Sequence, residues 1–561
     1  MQILVKIYKG DVYMFKVVLG DKVFNLTEKT PILSLLEKDE IKKYCVAKVN
    51  NRLRELTYEL CFDCNVELLD TSTYDAVKVY ETSFRYLLAM AYHNVYPDYK
   101  IRISYNISRS ILVSVLKPDN VIADSKMINT LKQELNRLIE LDLPFEKISL
   151  SKEEAKKVYQ ANNQEDKEAI LQYRPEKNCH MYKCGNYENY MYGYMVPSTG
   201  YLKDYNLFSY DNQVVVQYPR YETNGQIPEF DDQPTFSRVL KNSHKWAKIC
   251  NAELVSKINN HITKDTFVEF IQMCETYHND MLATLGETIQ KDIENIRLIC
   301  IAGPSSSGKT TFSNRLKIEL MSKGIKPLRI SLDMYYKKRE DCPLDEYGKP
   351  DFESIYSLDL ELLNNNLRSL VNGEEVRLPE FSFETGEISF GEPVQIDSKT
   401  PIIIEGIHAL NDKLSYSIPK HQKFKIFIAP QFQINIDNHN PISYTDIRLL
   451  RRIVRDKETR NTSAEGTLAM WPSVRRGEFK WIYPYQEGCN FVFNSALTYE
   501  LCIMKKHALP VLKEIKSDSP YYIQANRLIK FLKYFKEMDE TFVPCNSLLR
   551  EFIGGSCFSD V

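Results

Sequence analysis

Long apolar runs are missing from this chain. Tyr86-Leu87-Leu88-Ala89-Met90-Ala91-Tyr92 is among the longest, and it falls far short of the roughly 20 residues that a membrane-spanning helix needs. This argues against a membrane protein. Net charge is nearly absent as well: 73 Lys and Arg against 75 Asp and Glu leave −2. There is thus no bulk electrostatic case for nucleic acid or an anionic membrane, and such a partner would need a local patch. No internal repeat and no low-complexity tract occurs. The amino terminus, Met1 to Lys9, reads as an alternating strand and not as a basic leader, and the 13 cysteines are scattered and odd in number. A reduced, cytoplasmic setting is expected.

What is present is ordinary globular composition, 43% hydrophobic and 26% charged over 561 residues. That length exceeds one hydrophobic core and predicts three or four units. Alternation over Met1–Tyr8 and Val12–Val18, with a turn at Asn50-Asn51, marks a small β-rich module over 1–70. Helical patterns at Glu81–Val95, ended by Pro97, and at Asp124–Glu140, with tyrosine-rich strands beyond Lys183, mark an α+β domain over 71–225. Helical periodicity from Lys245 to Lys291 marks a connector over 226–290. From 291 to 515, apolar strands (Leu298–Ala302, Pro327–Leu332, Pro401–Glu405, Phe424–Ala429, Asn490–Phe493) alternate with helical stretches. This pattern predicts an α/β domain, a parallel sheet covered by helices. A helical extension, 516–561, closes the chain.

One motif fixes the chemistry. Gly303-Pro304-Ser305-Ser306-Ser307-Gly308-Lys309-Thr310, followed by Thr311, lies between the strand Leu298–Ala302 and an amphipathic helical run. This is a phosphate-binding loop in its strand-to-helix context. The glycines let the backbone wrap, amide N–H groups face the phosphates, Lys309 neutralises them, and Thr310 offers a hydroxyl to Mg²⁺. ATP and Mg²⁺ are the expected cofactors. Asp333 follows the next strand and stands at the carboxyl end of the sheet, where such sheets bind ligands. There it can accept the proton of an attacking hydroxyl or serve as a helix N-cap. Glu405 ends a buried strand in the position from which a Walker-B acid approaches Mg²⁺, and no second acid follows it, which weakens a motor-ATPase reading. Arg448, Arg451, Arg452, Arg455 and Arg460 recur at helical spacing. Five guanidiniums with one lysine suit bidentate phosphate contacts in a closing lid better than a solvated face. Arg475, Arg476 and Lys480, flanked by Trp471 and Trp481, fit phosphate contact or loop packing. The guanine-reading Asn/Thr-Lys-x-Asp element of GTPases is absent.

Together Gly303–Thr311, Ser331-Leu332-Asp333-x-Tyr335-Tyr336, Ile404-Glu405-Gly406-Ile407-His408 and Arg451-Arg452-x-x-Arg455-Asp456 resemble the uridine kinase and phosphoribulokinase group over residues 291 to 515. The segments Trp471–Glu478 and Ser547–Ser556 look like those of long, multidomain nucleoside kinases. The resemblance implies transfer of the ATP γ-phosphoryl to the 5′-hydroxyl of a nucleoside or to another small sugar-bearing substrate. It implies Asp333, Lys309, Arg451 and Arg455 as catalytic residues, with Gly303 to Thr311 and Arg452 on the nucleotide. Thr310 and Glu405 would stand near Mg²⁺, and Asp333, Tyr335, Asp351, Phe381 and Arg448 would meet the substrate. Uridine-cytidine kinases carry a tyrosine and a histidine for the pyrimidine where Phe381 and Gly386 stand here, so the acceptor is open. Asp351 falls at the ribose-binding aspartate, and Glu353 is an alternative.

The amino half resembles the TGS module, a β-grasp fold, and the second additional (editing) domain of threonyl-tRNA synthetases. Ala47–Leu56, Leu87–Ala91 and Val196–Gly200 carry that likeness. The synthetase's metal-ligand positions read Thr82, Tyr86, Met191 and Met195, which lack its imidazole and thiolate donors. A degenerate fold kept for binding or packing is expected, and an RNA-associated regulator with a nucleotide switch is the competing function. Cys61 with Cys64, and Cys179-His180 with Cys184, have partial zinc-like spacing.

Overall fold

The computed structural model describes residues 14–381, 387–397 and 399–559. The strand expected over Met1–Tyr8 and position Gly386 lie outside them. The chain forms two compact units. One joins the chain up to Asp232 with Asn435–Pro441 and Lys516–Arg527; the other joins Gln233–Ile434, Ile442–Ile515 and Leu528–Val561. Among the described residues no helix is long and apolar enough to cross a membrane.

The amino unit opens with a five-stranded sheet in the order Lys22–Leu26, Phe15–Leu19, Cys64–Leu69, Val46–Val49, Arg52–Arg54. Phe15–Leu19 and Cys64–Leu69 run parallel, and their neighbours pair antiparallel. The expected turn is there: Asn50 and Asn51 both take positive φ (44° and 60°), the backbone a two-residue hairpin turn demands. The helix Tyr74–Val95 follows, and all of 79–92 is buried. This explains its apolar run without any membrane. A four-stranded sheet (Asn206–Tyr210, Gln213–Gln217, Ile111–Lys117, Lys100–Tyr105) and a three-stranded one (Glu146–Ser151, Asn178–Cys184, Tyr187–Asn189) belong to the same unit, with the expected helix at Ser125–Glu140 and two more at Lys152–Ala161 and Glu165–Leu171.

Thr82, Tyr86, Met191 and Met195 are all buried. The Tyr86 hydroxyl donates to the carbonyls of Tyr182 and Tyr187 (3.0 and 2.8 Å), and Thr82 accepts from Arg85 (3.1 Å). These positions are packing. Cys179 and His180 are neighbours on one strand, the first buried and the second exposed, so they face opposite ways and cannot share an ion. Among the described residues no cluster of three or more His, Cys, Asp or Glu is arranged for a metal.

A hairpin built of Asn435–Asp437 and Asn440–Pro441 belongs to this same unit, although the sequence on both sides of it belongs to the other. It is held by polar contacts. Lys167 pairs with Asp437 at 2.9 Å with both side chains buried. Arg85 donates to the His439 carbonyl (2.7 Å) and to Asn440 (3.2 Å), Arg102 donates to Asn438 (3.0 Å), and the Tyr192 amide donates to Asn440 (2.8 Å). Lys167 holds the Asp437 carboxyl below its ordinary range against the desolvation that opposes it. Burial drives the His439 imidazole down to about 3, so it is neutral there.

The second unit is built on a fully parallel sheet in the order Leu328–Ser331, Ile402–Glu405, Leu298–Ala302, Lys423–Ala429, Phe491–Asn494. All five expected strands are present. Leu298–Ala302 and Ile402–Glu405 are buried throughout, which is why they read as continuous apolar runs. The segment expected as a connector forms three helices, Pro234–Ile249, Val255–Asn260 and Phe267–Lys291, all within this unit. His278 bonds the Ala496 carbonyl (3.0 Å) and Asn279 accepts from Arg315 (2.6 Å), so the last of these helices is tied into the domain and does not stand apart from it.

Removing one partner of a buried ion pair strands the other. Lys167→Met is expected to cost about 3–5 kcal/mol and to speed hydrogen exchange at Ile103, whose amide donates to Asn438 at 2.8 Å. Exchange mass spectrometry with urea denaturation checks both.

Candidate active site

Sheet register assembles the site. Ile301, Glu405 and Ser331 are cross-strand partners in one row. Two residues beyond that row on their strands come Gly303 and Asp333, so the loop, Glu405 and Asp333 share the carboxyl edge of the sheet. A Cβ at Gly303 would collide with the Ile428 carbonyl, which requires glycine at the loop's entry. Gly308, at φ +89°, caps the loop helix Lys309–Ser322, and Ser306 also takes positive φ (59°). Such alternation turns successive amides toward one concave side.

The loop's carbonyls are occupied from the other side. Arg448 donates through Nε and Nη2 to the Ser305 carbonyl (3.1 and 3.0 Å). Arg451 reaches the Ser306 carbonyl (3.4 Å), Lys309 reaches that of Pro304 (3.3 Å), and Arg452 donates to Ser305 Oγ (3.0 Å). With those acceptors satisfied, the amides remain for anions. The Ser306, Ser307 and Thr311 hydroxyls are buried without a partner. Cradle, lysine and orphaned hydroxyls together fit a triphosphate; the oxygens of Thr310 and Glu405 suit a hard divalent cation.

The charges are mutually tuned. Desolvation raises Glu405 to about 7, with the neighbouring Asp333 carboxylate adding to it and Lys309 and Arg329 opposing. Asp333 still reaches solvent, yet protein closes around it, and this desolvation raises its carboxyl while Lys309, Arg460 and Arg455 pull it down. It is no N-cap: Ser331 Oγ accepts the Asp333 amide at 3.4 Å. Burial lowers Lys309, and Glu405, Glu551 and Asp333 counter that.

These features match known proteins. Residues 298–501 fit the sequence model of the phosphoribulokinase / uridine kinase family. A uridine kinase of Staphylococcus haemolyticus (strain JCSC1435) is 30% identical over 180 residues, 32% of this chain and 78% of its own length. The chain belongs to the phosphoribulokinase/uridine kinase family. Uridine kinases of Macrococcus caseolyticus (strain JCSC5402) and Staphylococcus aureus (strain JH9) are also 30% identical, each over 179 residues and 32% of this chain, covering 78% and 77% of their own lengths.

Within this family domain the expected residues divide. Lys309, Asp333, Glu405, Arg455 and Arg460 act on one another electrostatically. Arg448 and Arg451 correct the expectation of a free lid face. Arg448 is locked to Glu478, which also binds Arg475 and accepts from Tyr483 (3.1 Å). Arg451, wholly buried, pairs with Glu500 (2.6 Å). Both brace the loop from behind, because desolvated guanidiniums need carboxylate partners. Of the basic segment after Trp471, Arg475 is therefore packing, and Trp471 lies under Arg448 at 5.5 Å.

Tyr335 is a further correction. It is 1% exposed and its hydroxyl accepts from Asn366 (3.1 Å), so it is core. Its neighbour Tyr336 instead lies beside Phe381 and Phe352, with ring centroids 6.3 and 6.4 Å away. Asp351 accepts the Glu353 amide at 3.2 Å and so shapes the turn. Glu353 carries the perturbed carboxyl, raised by desolvation to about 7, with Glu478 and Asp351 adding and Arg452 and Lys309 opposing. Gly477 permits that placement, since a Cβ there would collide with the Glu353 side chain.

A carboxyl raised in the fold binds its proton earlier than in the unfolded chain. Glu353 therefore contributes stability below about 4.5 that is lost as pH rises through about 7. Glu353→Gln is expected to raise the melting temperature of the ligand-free protein more at pH 7.5 than at pH 5.5. Scanning calorimetry at the two pH values reads the difference.

Proposed function

We propose that the chain is an ATP-dependent kinase that moves the γ-phosphoryl group to the 5′-hydroxyl of a nucleoside. The observation that carries this reading is the placement of Asp333 on the sheet edge shared with the phosphate loop, within electrostatic reach of Lys309, Arg455 and Arg460. A pure nucleotide switch has no use for a substrate-side carboxylate. The relatives named uridine kinases support the acceptor class. Mg·ATP, when bound, supplies the phosphoryl group and a metal that spreads its charge.

The residues then have separate tasks. Asp333 accepts the proton of the acceptor hydroxyl, and desolvation makes it a stronger base than a solvated aspartate. Lys309, Arg455 and Arg460 neutralise charge that develops between donor and acceptor. Thr310 and Glu405 hold the cation. Tyr336, Phe352 and Phe381 offer ring faces to a base, while Asp351 and Glu353 offer carboxylates to ribose hydroxyls. We read the amino unit as an editing-like fold without its ligand set, kept for packing and for the hairpin it holds.

Asp333→Asn should lower turnover by about 10²–10⁴-fold while ATP binding changes by less than about threefold. Product formation from Mg·ATP with a panel of ribonucleosides, deoxyribonucleosides and sugar phosphates measures it. Full turnover in the variant would sink the assignment of the base, and turnover of sugar phosphates alone would sink that of the acceptor.

A further inference from the structure

A carboxylate from the far end of the chain sits in the phosphate loop. Leu548, Leu549 and Phe552 are buried, and three contacts anchor the turn that carries them. Ser547 and Tyr499 both donate to one oxygen of Glu275 (2.6 Å each). The Arg451 guanidinium lies 4.9 Å from the centre of the Phe552 ring. Leu548 packs so closely on the loop that a Cβ at Gly308 would fall 3.2 Å from it. From this platform Glu551, 8% exposed, accepts the Thr311 amide at 3.0 Å.

That amide is one of the free donors of the loop helix's first turn, and in a phosphate loop such donors meet phosphate oxygens. The Thr311 hydroxyl beside it is buried and unpartnered, a second group fitted to an oxygen-rich ligand. Glu551 also acts on Lys309. A carboxylate and a phosphate oxygen have the same sign and the same need for donors, so they compete.

We propose that Glu551 stands in for a phosphate oxygen at the Thr311 amide and must release that amide before a nucleoside di- or triphosphate is fully seated. The site thus carries its own anionic competitor, which sets nucleotide affinity. This rests on the reading of the loop as a triphosphate site.

The test is direct titration calorimetry of the full chain with Mg·ATP, Mg·ADP and adenosine, without acceptor, alongside thermal unfolding of the ligand-free protein. Glu551→Gln removes the charge and keeps the shape; Glu551→Ala removes both. Each is expected to bind Mg·ATP and Mg·ADP about 5- to 20-fold more tightly, to leave adenosine affinity unchanged, and to melt a few degrees lower when ligand-free. Unchanged or weaker nucleotide binding with the same loss of melting temperature would overturn the proposal and leave Glu551 a structural cap. Lys309→Ala separates the two readings: if it binds Mg·ATP as tightly as wild type, the loop is no triphosphate site and the proposal falls with it. If Lys309→Ala loses binding while both Glu551 variants match wild type, only the proposal fails.

Discussion

A phosphate loop must show its amides to the ligand, and so something else must satisfy its carbonyls. In this chain Lys309, Arg448 and Arg451 do so at Pro304, Ser305 and Ser306. The arginines are buried, so each in turn needs a carboxylate, Glu478 or Glu500. Glu478 lies in a π-helical turn, Glu478–Ile482, a distortion frequent at functional sites. The arrangement propagates outward from one backbone requirement: loop carbonyls, guanidiniums, carboxylates, then the helices that hold them.

The sheet and loop were legible in the sequence because their physics is local. Central parallel strands are buried on both faces and read as apolar runs, and the loop's glycines answer to backbone geometry alone. Charge partnership is different. Spacing places Arg448 and Arg451 on one helix but is silent about Glu478 and Glu500, so a buried brace and a mobile lid look alike. Tyr335 and Tyr336 are adjacent, and only the 3₁₀ turn Leu332–Tyr335 decides which enters the core. Glu551 is 240 residues from the amide it caps, and no periodicity links the two. Asp351 and Glu353 were both legible as carboxylates near the acceptor, but the desolvation that raises Glu353 is a tertiary property.

The amino unit follows the opposite economy. Its core is apolar and aromatic, yet the hairpin is held by Lys167, Arg85, Arg102 and the Asn189–His439 side-chain contact. Buried polar contacts contribute little net stability but penalise wrong partners heavily. They suit a segment that must be recognised specifically by the fold it joins. Thr82 supports that recognition through Arg85, and Asn189 meets His439 directly.

The hairpin and the segment Lys516–Arg527 also impose an order in time. The amino unit is assembled from three stretches of sequence, the last of which ends at Arg527. Roughly three hundred residues separate Asp232 from that point, and at ~5–20 residues per second a ribosome needs roughly 15 to 60 s to cross them. Until Asn435–Pro441 emerges, part-way through that interval, Lys167 lacks Asp437 and Arg85 lacks the His439 carbonyl and Asn440. The first unit to emerge is thus completed only after most of the other has been made, so its folding is bound to the synthesis of the kinase domain.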